Sequence, residues 1–290
     1  MAPFLLWFRA CLWRRLGLKN RKSRVIDLHS HILPGIDDGA PDDAEALSMA
    51  RLWVADGVTT VACTPHIYPG VYNNSGPDIR ARVERLQALI DGENLPLRLV
   101  PGCDLHIAPD LISKLRLGAA LSLNDTRYVL VETPHHVLPP RVEDVFFSLS
   151  AAGYVPILTH PERMSWIEQR FDLIKRLAHA GVWMQLTAGA LLGKFGARPR
   201  YWSERLLEEG IVQIVASDAH GSTRRPPLMR SAYEAVAKRW GEALAERLFT
   251  ITPAGILENR APDLLFKYDS KHDAAPPPLW RKISALLGKS

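Results

Sequence analysis

Cysteine is scarce in this chain: Cys11, Cys63 and Cys103 are three among 290 residues, odd in number and far apart. That excludes a disulfide framework and predicts a reducing, cytoplasmic compartment. Long apolar runs are absent as well. No stretch reaches the ~18 residues that span a bilayer, and Met1 to Phe8 has its charges behind rather than ahead of its apolar part, unlike a secretory signal. Neither export nor a membrane span is expected. Low-complexity segments and internal repeats do not interrupt the chain, and 47% hydrophobic with 23% charged residues is ordinary for one globular α/β domain.

Acidic residues are missing from positions 1–24, which hold Arg9, Arg14, Arg15, Lys19, Arg21, Lys22 and Arg24. Removing those seven positive charges from the net +5 of the whole leaves −2 for the rest. A near-neutral body argues against nucleic acid, which needs a basic stripe on the folded domain. Phe4, Leu5, Leu6, Trp7, Phe8, Leu12 and Trp13 are interleaved with the arginines, a composition that suits an interfacial helix on an anionic membrane surface. A mis-assigned start codon or a disordered lead-in are the alternatives. Near the other end, Pro276-Pro277-Pro278-Leu279-Trp280-Arg281-Lys282 reads as a proline-rich linker before a short basic tail. The expected division is a basic amphipathic segment over 1–24, a catalytic domain over 25–262 and a Pro-rich, basic tail over 263–290. Docking through these tails would make the protein peripheral at the inner face of the membrane.

Within the body, strand-like runs at 25–28, 59–63, 97–100, 128–131, 155–158, 182–186 and 212–216 alternate with helix-like segments. This is the pattern of a parallel α/β sheet or barrel. The residues that terminate these runs are informative: His29 and His31, then His66, Asp104, Glu132, His160, and finally Asp218 and His220. All but one of the predicted strands end in a side chain that can bind a metal. In a (β/α) barrel the strand C-termini converge on one mouth, so residues scattered over nearly the whole body would meet in a single pocket. Asp38, in the loop after the first strand, is within reach of it. His29 and His31, at i and i+2 of an extended segment, face the same way and offer neutral nitrogens to zinc, manganese, iron or cobalt.

Nine candidate ligands are too many for one ion. Two or three divalent ions are therefore expected, with a carboxylate bridging, and such a cluster activates water and neutralises charge on a phosphoryl group. Hydrolysis follows as the expected chemistry. Arg163 lies three residues beyond His160, and Arg224 and Arg225 follow His220 closely; guanidinium binds phosphate bidentately, so a phosphoester fits better than an amide. Asp37 reads as a loop residue capping backbone. His106, His135, His136 and His179 read as surface or loop histidines, although His106 falls on the same side as Asp104.

Asp27-Leu28-His29-Ser30-His31, Asp37-Asp38-Gly39, Thr64-Pro65-His66, Leu123-Asn124-Asp125, His160-Pro161-Glu162-Arg163 and Ser217-Asp218-Ala219-His220 occur together and in order. The set resembles the PHP superfamily of metal-dependent phosphoesterases and, more narrowly, the CpsB/CapB-type protein-tyrosine phosphatases of bacterial capsule and exopolysaccharide systems. The resemblance runs from about Val25 to about Asn259. It implies an α/β fold of the distorted (β/α)7 barrel type, with the active site at the C-terminal ends of the strands. It also implies a three-metal site, often manganese, with iron, zinc, cobalt or magnesium as alternatives. Carried over by position, His29, His31 and Asp218 would hold one metal, Glu132 and His160 a second, and Asp38, His66 and His220 a third. Asp104 would bridge two of them where the family often has glutamate; being one methylene shorter, it requires a closer strand or a more weakly held ion. Arg163 and Arg225 match the family's phosphate-binding arginines, while Asp218 or His220 would assist the leaving group.

Other phosphatase chemistries are excluded by inspection. A cysteine nucleophile needs an arginine six residues on, where the chain has Gly17, Pro69 and Pro109. No Asp-x-Asp pair occurs, and Gly193-Lys194-Phe195 lacks the hydroxyl and glycine loop of a nucleotide P-loop. The reading is a protein-tyrosine phosphatase whose partner is the tyrosine autokinase of polysaccharide export. The alternatives are a small-molecule phosphatase of histidinol-phosphate type and a catalytically idle scaffold docked on the membrane.

Overall fold

A computed structural model describes residues 24–266; both tails lie outside these described residues. Ten strands are present: β1 Val25–Asp27, β2 Val58–Cys63, β3 His66–Tyr68, β4 Tyr72–Asn73, β5 Arg98–Pro101, β6 Asp104–His106, β7 Tyr128–Glu132, β8 Val155–Thr159, β9 Trp183–Thr187 and β10 Ile214–Ala216. They form a sheet β1-β2-β5 and a second sheet β10-β9-β8-β7-β6-β3-β4. β2 runs on through Thr64-Pro65 into β3, and β5 through Gly102-Cys103 into β6, so each pair is one stave broken in the middle. β2 pairs with β5 and β3 with β6, all parallel, which gives seven staves around a barrel. The seven expected strands are therefore there. Two are interrupted, the first where Pro65 has no amide hydrogen to donate to a ladder. The short antiparallel β3–β4 hairpin at the rim is an addition that strand periodicity did not reveal.

Side chains divide by parity, as the pleat requires. Ile26, Ala62, Val100, Tyr128, Leu130, Val155, Ile157, Trp183 and Ile214 fill the barrel, with Ile256 and Leu265 packed against the same cluster. Val61, Leu99, Val129, Val131, Leu158, Met184 and Val215 point outward to the surrounding helices. The helix Asp43–Asp56 illustrates how local sequence supports this layer. Asp42 caps it by accepting from Glu45 N at 2.9 Å, Gly57 ends it in the left-handed conformation, and Ala46, Met49, Ala50 and Trp53 form its buried face.

The barrel closes between β1 and β10 by only a few bonds. Ser30 and Ala219 form an isolated parallel bridge, Asp218 N donates to His29 O and His31 N to Ala219 O, each at 2.9 Å. Asp27 reinforces the seam: its Oδ1 accepts from Ser217 N at 2.9 Å and its Oδ2 from Trp53 Nε1 at 2.7 Å. Asp27 and Trp53 are fully buried, so losing that donor leaves a carboxylate oxygen unpartnered in the interior. We expect Trp53→Phe to lower stability by about 1–3 kcal/mol, whereas Leu52→Ala on the exposed face of the same helix changes it by under ~0.5 kcal/mol. Urea unfolding followed by fluorescence measures both, and an unchanged midpoint for Trp53→Phe would show that the Trp53–Asp27 bond does not support the seam.

Candidate metal centre

His29 and His31 lie just beyond the end of β1, not on it. Alternation breaks there: Asp27 points out to Trp53 of the helical layer, while His29 points in to Gln185 of β9. The backbone bonds to β10's continuation hold both histidines in that turned-in position. Gln185 Oε1 is 2.8 Å from His29 Nδ1, and Asp37 Oδ2 is 2.7 Å from His31 Nδ1. Acceptors at both Nδ1 atoms place the ring protons there and leave the Nε2 lone pairs facing one another across 3.2 Å. Two lone pairs repel at that separation unless a proton or a cation lies between them.

Neighbouring spacings agree. Asp218 Oδ1 is 3.3 Å from His31 Nε2 and 3.5 Å from His29 Nε2. Asp104 Oδ2 is 3.6 Å from His29 Nε2 and 3.4 Å from His66 Nδ1. Ligand atoms held about 2.1 Å from one ion stand roughly 3.0–3.5 Å apart, at or beyond the long end of hydrogen bonding and right for shared coordination. Asp104 is wholly buried, yet neither carboxylate oxygen has a hydrogen-bond partner; His66 Nδ1 and His106 Nδ1 are likewise buried and unpartnered. Buried polar atoms left so are costly. The donor set therefore fits divalent cations.

Among the described residues four groupings of potential ligands emerge: His31, Asp38, His66 and His220; His29, His31 and Asp104; Glu132, His135 and His160; and His66, Asp104 and Glu132. All nine side chains singled out in the sequence meet at the mouth. His29 and His160 have ring centres 5.8 Å apart, and His31 and His220 3.9 Å. His66 stands between two groups. Its Nε2 is 3.5 Å from Asp38 Oδ1, and its Nδ1 is 3.4 and 3.5 Å from Asp104 and Glu132 oxygens. A neutral imidazole has one lone pair, so His66 joins only one of them.

Three residues have other roles than the sequence suggested. Asp37 does cap backbone, accepting from Gly39 N and His66 N, but it is also the buried carboxylate that orients His31. His135, expected on the surface, has Nε2 3.2 Å from His160 Nδ1 and 3.6 Å from Glu132 Oε1. His106 lies on β6, stacked on Tyr68 at 3.8 Å between ring centres, with Nδ1 3.6 Å from Glu132 Oε2. His136 is exposed as expected.

Arginines rim the cluster. Arg163 Nη1 donates to Asp218 Oδ2 at 2.5 Å, and Arg225 Nη2 donates to the same oxygen. Burial opposes ionisation of Asp218, but Arg225 and His29 hold its carboxyl well below the usual range. Its two oxygens are thus divided, one for the imidazoles and one for the guanidiniums. His160 and Asp218 both take left-handed backbone, with φ of 38° and 50°, a conformation that costs non-glycine residues about 1–3 kcal/mol and clusters at functional sites.

Comparison with known proteins accounts for this constellation. Residues 25–258 match the family model for capsular polysaccharide synthesis proteins CpsB/CapC. The chain belongs to the CpsB/CapC family. The tyrosine-protein phosphatase YwqE of Bacillus subtilis is 37% identical over 220 residues, covering 76% of this chain and 87% of YwqE. The tyrosine-protein phosphatase CpsB of Streptococcus pneumoniae is 27% identical over 238 residues, 80% of this chain and 98% of CpsB. A chain from crystal structures of YwqE and CpsB, described as unique metal-dependent tyrosine phosphatases, superimposes with a TM-score of 0.78 at 36% identity, covering 81% of this chain and 95% of that one. A mutant organophosphorus hydrolase shares the fold alone, with a TM-score of 0.52 at 13% identity over 81% of this chain and 94% of its own. The expected distorted barrel is thus borne out for this CpsB/CapC member.

Electrostatics yield a test that needs no turnover. Burial pushes the His31 imidazole down, but Asp37 and Asp218 overcome it and raise it to about 10, so a proton stabilises the metal-free site. Burial and then the charge on His31 bring His220 down to about 4, leaving it neutral. At pH 7 a cation bound through His31 Nε2 would displace that proton. We expect at least one proton released per chain when manganese is added to chelator-treated protein, and tighter binding as pH rises from 6 to 8. Calorimetry in buffers of different ionisation enthalpy counts the protons; none released would contradict His31 as a ligand.

Proposed function

We propose that this chain is a metal-dependent protein-tyrosine phosphatase acting on the tyrosine autokinase of a polysaccharide-export system. The observation that carries the reading is the pair of guanidiniums, Arg163 and Arg225, meeting on Asp218 beside the buried imidazole–carboxylate cluster. Family membership and the likeness to YwqE and CpsB support it. His29, His31 and Asp218 would hold one divalent ion, Glu132 and His160 a second, and Asp38, His66 and His220 a third, with Asp104 between them; manganese is the favoured identity. When bound, such ions lower the pKa of water and neutralise charge on a phosphoryl group.

The chain's own residues do the remainder. Arg163 and Arg225 turn from Asp218 to the non-bridging oxygens of a phosphate monoester, binding it bidentately and fixing its orientation. Asp37 and Gln185 keep the Nδ1 protons of His31 and His29 in place, which aims the Nε2 lone pairs into the cluster. Neutral His220 donates from Nδ1 to Asp218 O at 2.9 Å and keeps its Nε2 lone pair, 3.3 Å from Asp38 Oδ1, for the cluster, so help in protonating the departing oxygen would come from water. A tyrosyl phenolate, with an ordinary pKa of about 10, needs less such help than an alkoxide.

Arg163→Ala and Arg225→Ala should each cut kcat/KM for phosphotyrosyl peptide about 10²- to 10³-fold while leaving manganese binding within a few-fold. Chelation should abolish turnover and added manganese restore it. Histidinol phosphate tested alongside separates the readings: turnover above that of phosphotyrosyl peptide would favour the small-molecule phosphatase, and no turnover of either by loaded enzyme would favour the idle scaffold.

The basic, aromatic segment 1–24 and the basic tail would place the enzyme at an anionic membrane. Both segments lie outside the described residues, so composition alone supports this part. Deleting residues 1–20 should release the protein from phosphatidylserine vesicles without altering turnover; retention on the vesicles would refute the anchor.

A further inference from the structure

Beside the metal centre lies a cleft of about 240 Å³ that shares Asp218 and Arg225 with it and extends outward to Lys194, Thr223 and Arg224. Its floor is Phe195. Arg163 lies 4.7 Å and Arg225 5.7 Å from the centre of that ring, so the aromatic face supports both phosphate-rim guanidiniums. The loop carrying Phe195 is tightly tied: Lys194 N donates to Gly189 O at 2.8 Å, and Gly193 and Gly196 both take positive φ. Gly189 is needed for the fit, since a Cβ there would stand 2.9 Å from Phe195 Cε2.

Charge in this cleft is one-sided. Lys194, Arg224 and Arg225 line it against a single carboxylate, Asp218, whose Oδ2 already receives both rim arginines. Lys194 and Arg224 are exposed, and among the described residues neither is in an ion pair. Arg225 Nε is buried without a hydrogen-bond partner, so that guanidinium has a donor unspent. Solvated cations are common on surfaces; two unpaired ones continuous with a phosphate-binding pair are placed for a ligand carrying more than one negative charge.

We infer that this cleft is a specificity subsite for an acidic residue, aspartate or glutamate, next to the phosphotyrosine of the substrate. The inference rests on the phosphatase reading and names the peptide chemistry it would select. With phosphate at Arg163 and Arg225, the flanking chain passes over Phe195, and a carboxylate one or two residues away meets Lys194 and Arg224. Rim charges of this kind act mainly on encounter and binding, and they weaken with salt.

The test uses two fluorescein-labelled phosphotyrosyl peptides that differ only in glutamate or glutamine at the flanking positions, with manganese-loaded full-length protein. Anisotropy at low salt should give about fivefold tighter binding of the glutamate peptide, since each rim pair contributes modestly, and kinetics should show the same preference in KM rather than kcat. The preference should fall below about twofold in Lys194→Ala/Arg224→Ala and at 0.5 M salt, and invert in Lys194→Glu/Arg224→Glu. Equal binding of both peptides to the native protein, or a preference that survives the double alanine change, overturns the subsite whether or not the peptides are hydrolysed. A preference in binding without hydrolysis upholds the subsite and overturns the phosphatase reading alone.

Discussion

The seam between β1 and β10 is the constraint on which the rest depends. Two backbone hydrogen bonds, one isolated bridge and the Asp27 carboxylate join residues about 190 positions apart, and that join sets His29 and His31 against Asp218 and His220. A parallel closing pair cannot form until every intervening unit is in place. The metal centre is accordingly a property of the finished barrel and of no local segment. Asp27 is well suited to the seam because a carboxylate accepts from several donors at once, here a backbone amide on the last strand and an indole in the helical layer.

The same closure concentrates costs in one place. Asp104 is buried with both oxygens unpartnered, and His160 and Asp218 sit in left-handed backbone. Each feature destabilises the metal-free chain by an amount comparable with a sizeable mutation. The surrounding core offsets them: strand faces packed on Tyr128 and Trp183 inside, and on Trp53, Phe146 and Phe249 outside, are almost wholly excluded from water. A rigid scaffold that tolerates local strain at its mouth is what a cluster of buried ligand-type side chains requires.

Asp218 shows how one side chain links the two halves of the chemistry. With Oδ1 toward the imidazoles and Oδ2 toward Arg163 and Arg225, it keeps the guanidiniums at the rim and ionised partners close to the cluster. Phe195 supports those arginines from the other side. Both guanidiniums are held between a carboxylate and an aromatic face that follow different staves.

Much of this was legible beforehand. Ligand-type residues at strand ends and the alternation of strands and helices gave both the barrel and its nine converging side chains, because parallel strands in a barrel all finish at one mouth. Sequence could not reveal that Pro65 would split a stave, since the β2–β3 break depends on neighbours that exist only in the sheet. His135 was read as a surface histidine because it sits in an aperiodic loop; Asp37 was read only as a cap, and Gln185 not at all, because nothing in a sequence says which imidazole nitrogen a polar side chain will reach. Residue type and spacing along the chain determined which groups were available and that strand ends would present them. Tertiary structure alone decided which nitrogen carries each proton, which carboxylate oxygen faces which cation-binding group, and which of ten histidines enter the site, because those choices are made by contacts between segments brought together only when the barrel closes.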